Sequence, residues 1–369
     1  MTASLAVVAA ACGGTSTGST GASGGSSPSA AASSSASTTS KFLACEVTDT
    51  GGINDRSFNA SAYDGLKVAA KAIPGLTYTY LSSTSTSDYT PNINTLVGRH
   101  CGIIITVGFD MAAATTKAAK ANPNQKFAIV DYPSLGLKNV KSLSYETNQD
   151  GFLGGYLAAA MSKSGKVGTF GGQNIPTVTI YMDGWVAGVR YFNKQNNAHV
   201  SVLGWTPKAG RPKNSLAGSG LFTNDFTNQS LGKTDTQTLL SQGADVIFPV
   251  AGSVGLGAAA AVKQAGGTNY MEWVDTDGCI SAPQYCSLFL TSVNKGISTS
   301  VSTEVEAAAK GTFTGGLYVG TLKNGGVGLA PFHQFTSKIP SKVSSALTTI
   351  KAGIESGQIS VNPNSYPAS

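Results

Sequence analysis

Val47-Thr48-Asp49-Thr50-Gly51-Gly52-Ile53-Asn54-Asp55-Arg56-Ser57-Phe58-Asn59 joins the apolar run LACEV to the alanine-rich SAYDGLKVAAKA. The first run reads as a strand, and the second repeats small and apolar residues at helical spacing, so the stretch between them is a strand-to-helix turn. Two glycines make the turn tight, Asp49 can cap it, and Asp55 or Ser57 can start the helix. These local duties leave Asn59 unexplained. Phe58 reads either as a hydrophobic staple at the helix start or as an aromatic face offered to a ligand.

The same alternation continues along the chain. TYTYLSS, CGIIITVG, KFAIVDY and VKSLSYE read as strands, and TPNINTLVGR and MAAATTKAAKAN as the helices between them. A second series follows: GFLGGYLAAAMSK, KVGTFGG, DGWVAGVRYFNKQ, HVSVLGW, TDTQTLLSQG, ADVIFPVAG, LGAAAAVKQAG, NYMEWVDTD and LFLTSVNK, with a further helix around residues 300–310. The order predicts an α/β fold of two doubly wound units with parallel sheets covered by helices on both faces. Ligands of such sheets bind outside the carboxyl ends of the strands, so two facing units place a crevice between lobes. Residues 206–224, TPKAGRPKNSLAGSGLFTN, carry no periodicity and read as an inserted surface loop.

The 369 residues, 41% of them apolar, supply one large or two medium cores. Charged residues are only 12% and the net charge of +6 comes from scattered lysines, which leaves no footprint for nucleic acid. His100, His199 and His333 stand far apart in unlike contexts, so no histidine-based metal site is expected. Cys45 and Cys101 lie in strand-like runs and Cys279 and Cys286 share one loop. Two disulfides are the favoured reading, with reduced buried thiols as the alternative. Residues 1–12, MTASLAVVAAAC, resemble the cleavage region of a secretory signal ending at a lipidated Cys12, although no basic segment precedes the apolar run. Residues 13–40 hold no charge, aromatic or large aliphatic residue and read as a flexible linker. The expected location is therefore extracytoplasmic, anchored to the cell membrane through that cysteine.

Several enzyme motifs fail on spacing. SLGKT ends like a phosphate loop, yet residue 227, where its first glycine belongs, is threonine. GTFGGQ lacks the dinucleotide spacing, and AGSVGLG supplies no nucleophile elbow. What remains is a set of polar and aromatic residues at strand ends: Asp49, Phe58 and Asn59; Gly108, Phe109 and Asp131; Trp185; Phe248 and Gly252; Asp275 and Asp277; and Lys295. Aromatic faces can stack a ring, and carboxylates or amides can grip ring nitrogens and sugar hydroxyls. Each has an ordinary alternative: a cap for Asp49, core packing for Trp185 and Phe248, a surface position for Lys295.

Six ordered blocks, VTDTGGINDRSFNASAYDGL, VGFDMAAATTKAAKANPNQKFAIVDY, GKVGTFGGQNIPTVTIYMDGWVAGV, QGADVIFPVAGSVGLG, VDTDGC and GTFTGGLYVGTLKNGGVGLAPF, resemble the basic membrane protein family of substrate-binding lipoproteins from about residue 42 to 332. The resemblance implies a type I periplasmic-binding-protein fold of two Rossmann-like lobes closing by a hinge. Lobe 1 is expected to comprise 41–148 plus about 284–316, and lobe 2 149–283 plus about 317–369. It also implies a nucleoside ligand, an ABC permease as partner, a monomer, no cofactor and no catalysis. By position, Phe58 resembles the first stacking aromatic, with Asn59 beside it, and Asp131 the base-reading carboxylate. Phe248 is the expected second stacking residue, with Trp185 and Phe222 as rivals. Asp275, or alternatively Asp277, would hold the ribose with Lys295, while Gly108 and Gly252 let backbone approach the ligand. A sensor lipoprotein and a secreted nucleoside hydrolase are the competing readings.

Overall fold

A computed structural model describes residues 42–208 and 218–367. The expectations for residues 1–12, for Cys12 and for the linker at 13–40 lie outside these residues, as does the middle of the 206–224 insertion. The first sheet begins with β1 (Leu43–Val47), β2 (Thr77–Leu81), β3 (Ile103–Val107), β4 (Phe127–Val130) and β5 (Val140–Tyr145). The second is built from β6 (Lys166–Gly171), β7 (Ser201–Leu203), β10 (Val246–Val250), β11 (Tyr270–Asp275) and β12 (Phe289–Lys295), with β8 (Trp205–Pro207) and β9 (Gly218–Gly220) as a separate hairpin. β13 (Gly316–Gly320) and β14 (Val327–Leu329) complete one sheet each, giving the orders β13-β5-β4-β3-β1-β2 and β14-β12-β11-β10-β6-β7. Every pairing in the two large sheets is parallel except β12 with β14. Continuous runs such as IIITV and VIFPV are buried along their whole length because helices cover both faces of each sheet.

The helices are α1 (Phe58–Ala72), α2 (Tyr89–Gly98), α3 (Ala112–Ala121), α4 (Asn148–Met161), α5 (Pro176–Asn196), α6 (Gln229–Ser241), α7 (Val254–Ala265), α8 (Gly278–Ser281), α9 (Ile297–Ala309) and α10 (Ser341–Glu355). α4 carries Gly151, Gly154 and Gly155, which would each weaken an isolated helix. Here Gly151 and Gly155 let α5 pack backbone to backbone: a Cβ on Gly155 would lie 1.9 Å from the Trp185 carbonyl oxygen, and one on Gly188 of α5 2.0 Å from that of Phe152.

The chain passes between sheets three times, after β5, after β12 and between β13 and β14. The expected return to lobe 1 at about residue 284 is corrected by the pairing of Phe289–Lys295 with β11, which moves the passage to Gly296. Likewise Gly316–Gly320 pairs with β5, so the last passage falls at residues 321–326 instead of 317. Periodicity identifies a strand but not which sheet it joins. The insertion at 206–224 is also more ordered at its ends than a plain loop, because Trp205 lies flat against Gly218 and Gly220. A Cβ on either glycine would meet the indole within 2.5 Å.

Both expected disulfides are present. Cys45–Cys101 ties β1 to the start of β3, and Cys279–Cys286 closes the α8 loop. The first spans 56 residues, for which loop-closure entropy gives about 4 kcal/mol. Replacing both Cys45 and Cys101 by alanine is expected to lower the denaturant midpoint by a corresponding amount, measured by chemical unfolding under oxidising conditions. An unchanged midpoint would show that the bridge contributes nothing.

Candidate functional site

The carboxyl ends of β1, β3 and β4 face those of β10, β11 and β12 across one cleft. Asp49, Phe58, Asn59, Gly108, Phe109 and Asp131 line it from the first sheet, and Gly252, Asp275 and Lys295 from the second. Nine of the residues singled out in the sequence therefore converge. The opening turn builds one wall. Asp55 accepts from the backbone N–H groups of Ser57 (3.0 Å), Asn59 (2.7 Å) and Ala60 (3.1 Å), which starts α1. Asn59 then donates both to Asp49 Oδ1 (2.7 Å) and to Asp55 Oδ2 (3.0 Å), while its own Oδ1 accepts from the Asp49 N–H (3.1 Å). Asn59 is thus a clamp that aims Asp49, and its amide is already committed. A Cβ on Gly108, where φ is +120°, would sit 3.0 Å from Asp49 Oδ2, so only glycine lets that carboxyl keep its place.

Burial pushes Asp49 up to about 7 and Asp55 up to about 6, in both cases against hydrogen bonds that favour the charged form. Each carboxyl therefore holds its proton in the fold at pH values where the unfolded chain has released it. The associated stability is complete below pH ~4 and is lost as pH rises through 6 to 7. The thermal midpoint of the protein without added ligand is expected to fall over that window, and Asp49→Asn to flatten the part between pH 6 and 7.5. A midpoint in the variant that falls as steeply as in the parent would contradict this assignment.

Lys295 ends β12 and forms the floor. Its Nζ lies 2.5 Å from Asp131 Oδ2 and 3.4 Å from Asp275 Oδ1, all three side chains being buried. Burial works against the ammonium, but the two carboxylates outweigh it and hold the proton more tightly than usual. Asp275 is fixed further by Ser57 Oγ (2.8 Å) and the Tyr181 hydroxyl (3.3 Å). Asp131 and Asp275 both have left-handed φ values, +66° and +67°, at the ends of β4 and β11. Non-glycine residues in that region store strain, which the ion pairs here must offset. One aspartate from each sheet meets the same lysine, which neutralises part of their charge. Lys295 Nζ also lies 4.9 Å from the centre of the Phe58 ring and 5.1 Å from that of Tyr181, within cation–π range.

Three expectations are corrected. Phe248 lies in the middle of β10, fully buried, and stacks on Trp185 at 5.9 Å, so neither reaches the cleft. The Trp185 indole instead donates to Glu272 (2.8 Å), a carboxyl that burial pushes up to about 8. Asp277 caps α8 through the Cys279 N–H (2.9 Å) and meets His333 Nε2 at 2.7 Å. Asp277, Cys279 and His333 lie close together, but the Cys279 sulfur belongs to the disulfide. Phe222 packs edge-on against Trp205, away from the cleft wall.

Phe226 takes the position expected of Phe248. It lines the cleft from the second lobe, with its ring over Gly172, where a Cβ would clash at 2.2 Å. Ser253 Oγ holds its carbonyl at 2.8 Å. Tyr89, Gln173, Thr177 and Tyr181 also line the cleft unforeseen. The run IPTVTIYMDGW carries Thr177 and Tyr181 four apart, a helical spacing that would have placed both on one face of α5.

Two parallel α/β lobes, three passages and a polar cleft at the strand ends define a bilobal solute-binding protein of the type I periplasmic class. A solute-binding protein of an ABC transporter system from Aeropyrum pernix K1 shares this fold with a TM-score of 0.76, covering 86% of this chain and 92% of that one at 24% identity. The chain belongs to the Bmp family, the PnrA-like substrate-binding proteins of ABC transporters, whose family model matches residues 42–216 and 221–362. It is 32% identical to the ABC transporter nucleoside-binding protein BmpA of Lactococcus lactis subsp. cremoris, over 84% of this chain and 87% of that protein. It is 30% identical to the CD4+ T-cell-stimulating antigen of Listeria monocytogenes, over 80% and 82%.

Proposed function

We propose that this substrate-binding protein captures a nucleoside, with a purine as the preferred base, between its two lobes and delivers it to an ABC permease. The observation that carries the reading is the pairing of aromatic walls with a charged floor: Phe58 and Phe226 beside Asp131, Lys295 and Asp275. Flat apolar faces suit a base, and a lysine held between two carboxylates suits vicinal sugar hydroxyls. On this reading Asp131 belongs to the sugar end, and Asp49, steadied by Asn59, reads the base edge. The relative named as nucleoside-binding supports the ligand class.

The cavity enclosed by these residues measures about 60 Å³. A cavity that binds benzene measures about 150 Å³. Admission of a nucleoside therefore requires the lobes to part, and the three passages are the hinge about which they do so. Among the described residues no helix is long and apolar enough to cross a membrane. Attachment on the extracytoplasmic side then rests on a lipid at Cys12, and the chain acts as a monomer without catalysis.

A thermal-shift screen against nucleosides, free bases and pentoses tests the ligand class. Stabilisation by at least one nucleoside, and not by its base or its sugar alone, is expected. Equal stabilisation by a free pentose would replace the nucleoside with a sugar.

A further inference from the structure

Beside the main cleft lies a second chamber, of about 200 Å³, that no expectation from the sequence includes. It adjoins the first through shared wall residues, Phe109, Asp131 and Thr177. Its own lining comes from both lobes: Tyr132, Ser144 and Tyr145 from the first, Ile180 from α5, and Thr147 at the passage between them. We propose that this chamber receives an uncharged, ring-sized substituent on the 5′ arm of the ligand. The protein would then bind 5′-extended nucleosides in preference to plain ones and reject 5′-phosphates. This inference rests on the nucleoside reading above.

Three observations support it. The volume exceeds the roughly 150 Å³ that accommodates benzene. The walls are aromatic: Phe109 and Tyr132 pack at 5.1 Å and 39°, and Tyr145 offers its ring because its hydroxyl is engaged by Ser300 Oγ at 2.6 Å. Finally, the described residues that line it include no lysine, arginine or histidine, and the one carboxylate among them, Asp131, is paired with Lys295. A phosphate there would face a carboxylate with no cation of its own. With the 2′ and 3′ hydroxyls on Asp275 and Lys295, the 5′ carbon is the arm left to pass Asp131 into the chamber.

Calorimetric titration of the full chain with adenosine and guanosine, their 5′-O-benzyl ethers and their 5′-monophosphates tests this. At least one ether is expected to bind about tenfold tighter than its parent, and both monophosphates at least tenfold weaker. Ile180→Trp fills the chamber from α5 without touching the main cleft. It should abolish the ether's advantage and leave the parent nucleoside within about threefold; Ser144→Leu, from the opposite wall, repeats the test if the tryptophan variant does not fold. Absence of an advantage for both ethers, an advantage that survives both variants, or a monophosphate that binds as well as its parent overturns the chamber and leaves the nucleoside reading standing. No binding by any of the six compounds overturns both.

Discussion

Lys295→Met is expected to destabilise the protein by about 3–5 kcal/mol and to abolish ligand binding. Among the described residues that line the cleft the lysine is the only cation, and it is enclosed by Asp131 and Asp275, each nine-tenths buried or more. Removing it leaves two carboxylates facing each other with little water to screen them. Both would have to take up protons or the lobes would have to separate. The destabilisation should therefore be largest near neutral pH and smaller in acid, where protons are available to relieve the uncompensated negative charge. Urea unfolding at pH 7.5 and pH 4.5 measures both halves of the expectation. An equal loss at the two values would show that packing of the lysine stem, not its charge, matters at this position.

The second large effect concerns the aromatic walls. Phe58→Ala and Phe226→Ala are each expected to weaken nucleoside binding by about 10- to 100-fold, since stacking of one base face contributes about 1–3 kcal/mol. The double variant should lose roughly the product. Phe248→Ala separates this from a general loss of packing. Phe248 is wholly inside the second core against Trp185, so it should cost about 3–5 kcal/mol of stability while the remaining folded protein binds ligand nearly as before. Titration of the single variants, with unfolding curves alongside, gives both readouts. Strong binding by Phe226→Ala would remove that residue from the site.

The contrast between Phe226 and Phe248 shows where the sequence was legible. Parallel strands buried on both faces are apolar throughout, so nothing in VIFPV says that its phenylalanine points into the core. Phe226 stands just beyond the non-periodic segment at 206–224, where no spacing rule applies. It is positioned by long-range contacts with Gly172 and Ser253 that only the fold supplies. Asp275 and Asp277 differ for a local reason: Asp275 ends β11 and faces the cleft, whereas Asp277 precedes Gly278 and Cys279 in a capping arrangement visible in the letters DTDGC. The opening turn was the most readable part. Gly51 makes the turn and Asp55 starts the helix, whereas the Ser57 hydroxyl leaves the cap to hold Asp275, and Phe58 reaches the cleft wall. The clamp that Asn59 forms on Asp49 and Asp55 was not visible, because it depends on side-chain geometry between residues ten and four apart.

The two sheets were legible from alternation alone, but the sites of passage between them were not. β12 and β13 are strands by composition, and only pairing with β11 and β5 decides their lobe. That decision is what brings Lys295, from the second sheet, to Asp131 in the first.

The most direct test of the account is isothermal calorimetry of the full chain with purine nucleosides, paired with the Lys295→Met and Phe226→Ala variants. Saturable one-to-one binding of at least one nucleoside to the parent protein is expected, undetectable with Lys295→Met and at least tenfold weaker with Phe226→Ala. Absence of saturable heat from every purine and pyrimidine nucleoside, or binding that neither substitution disturbs, would contradict it.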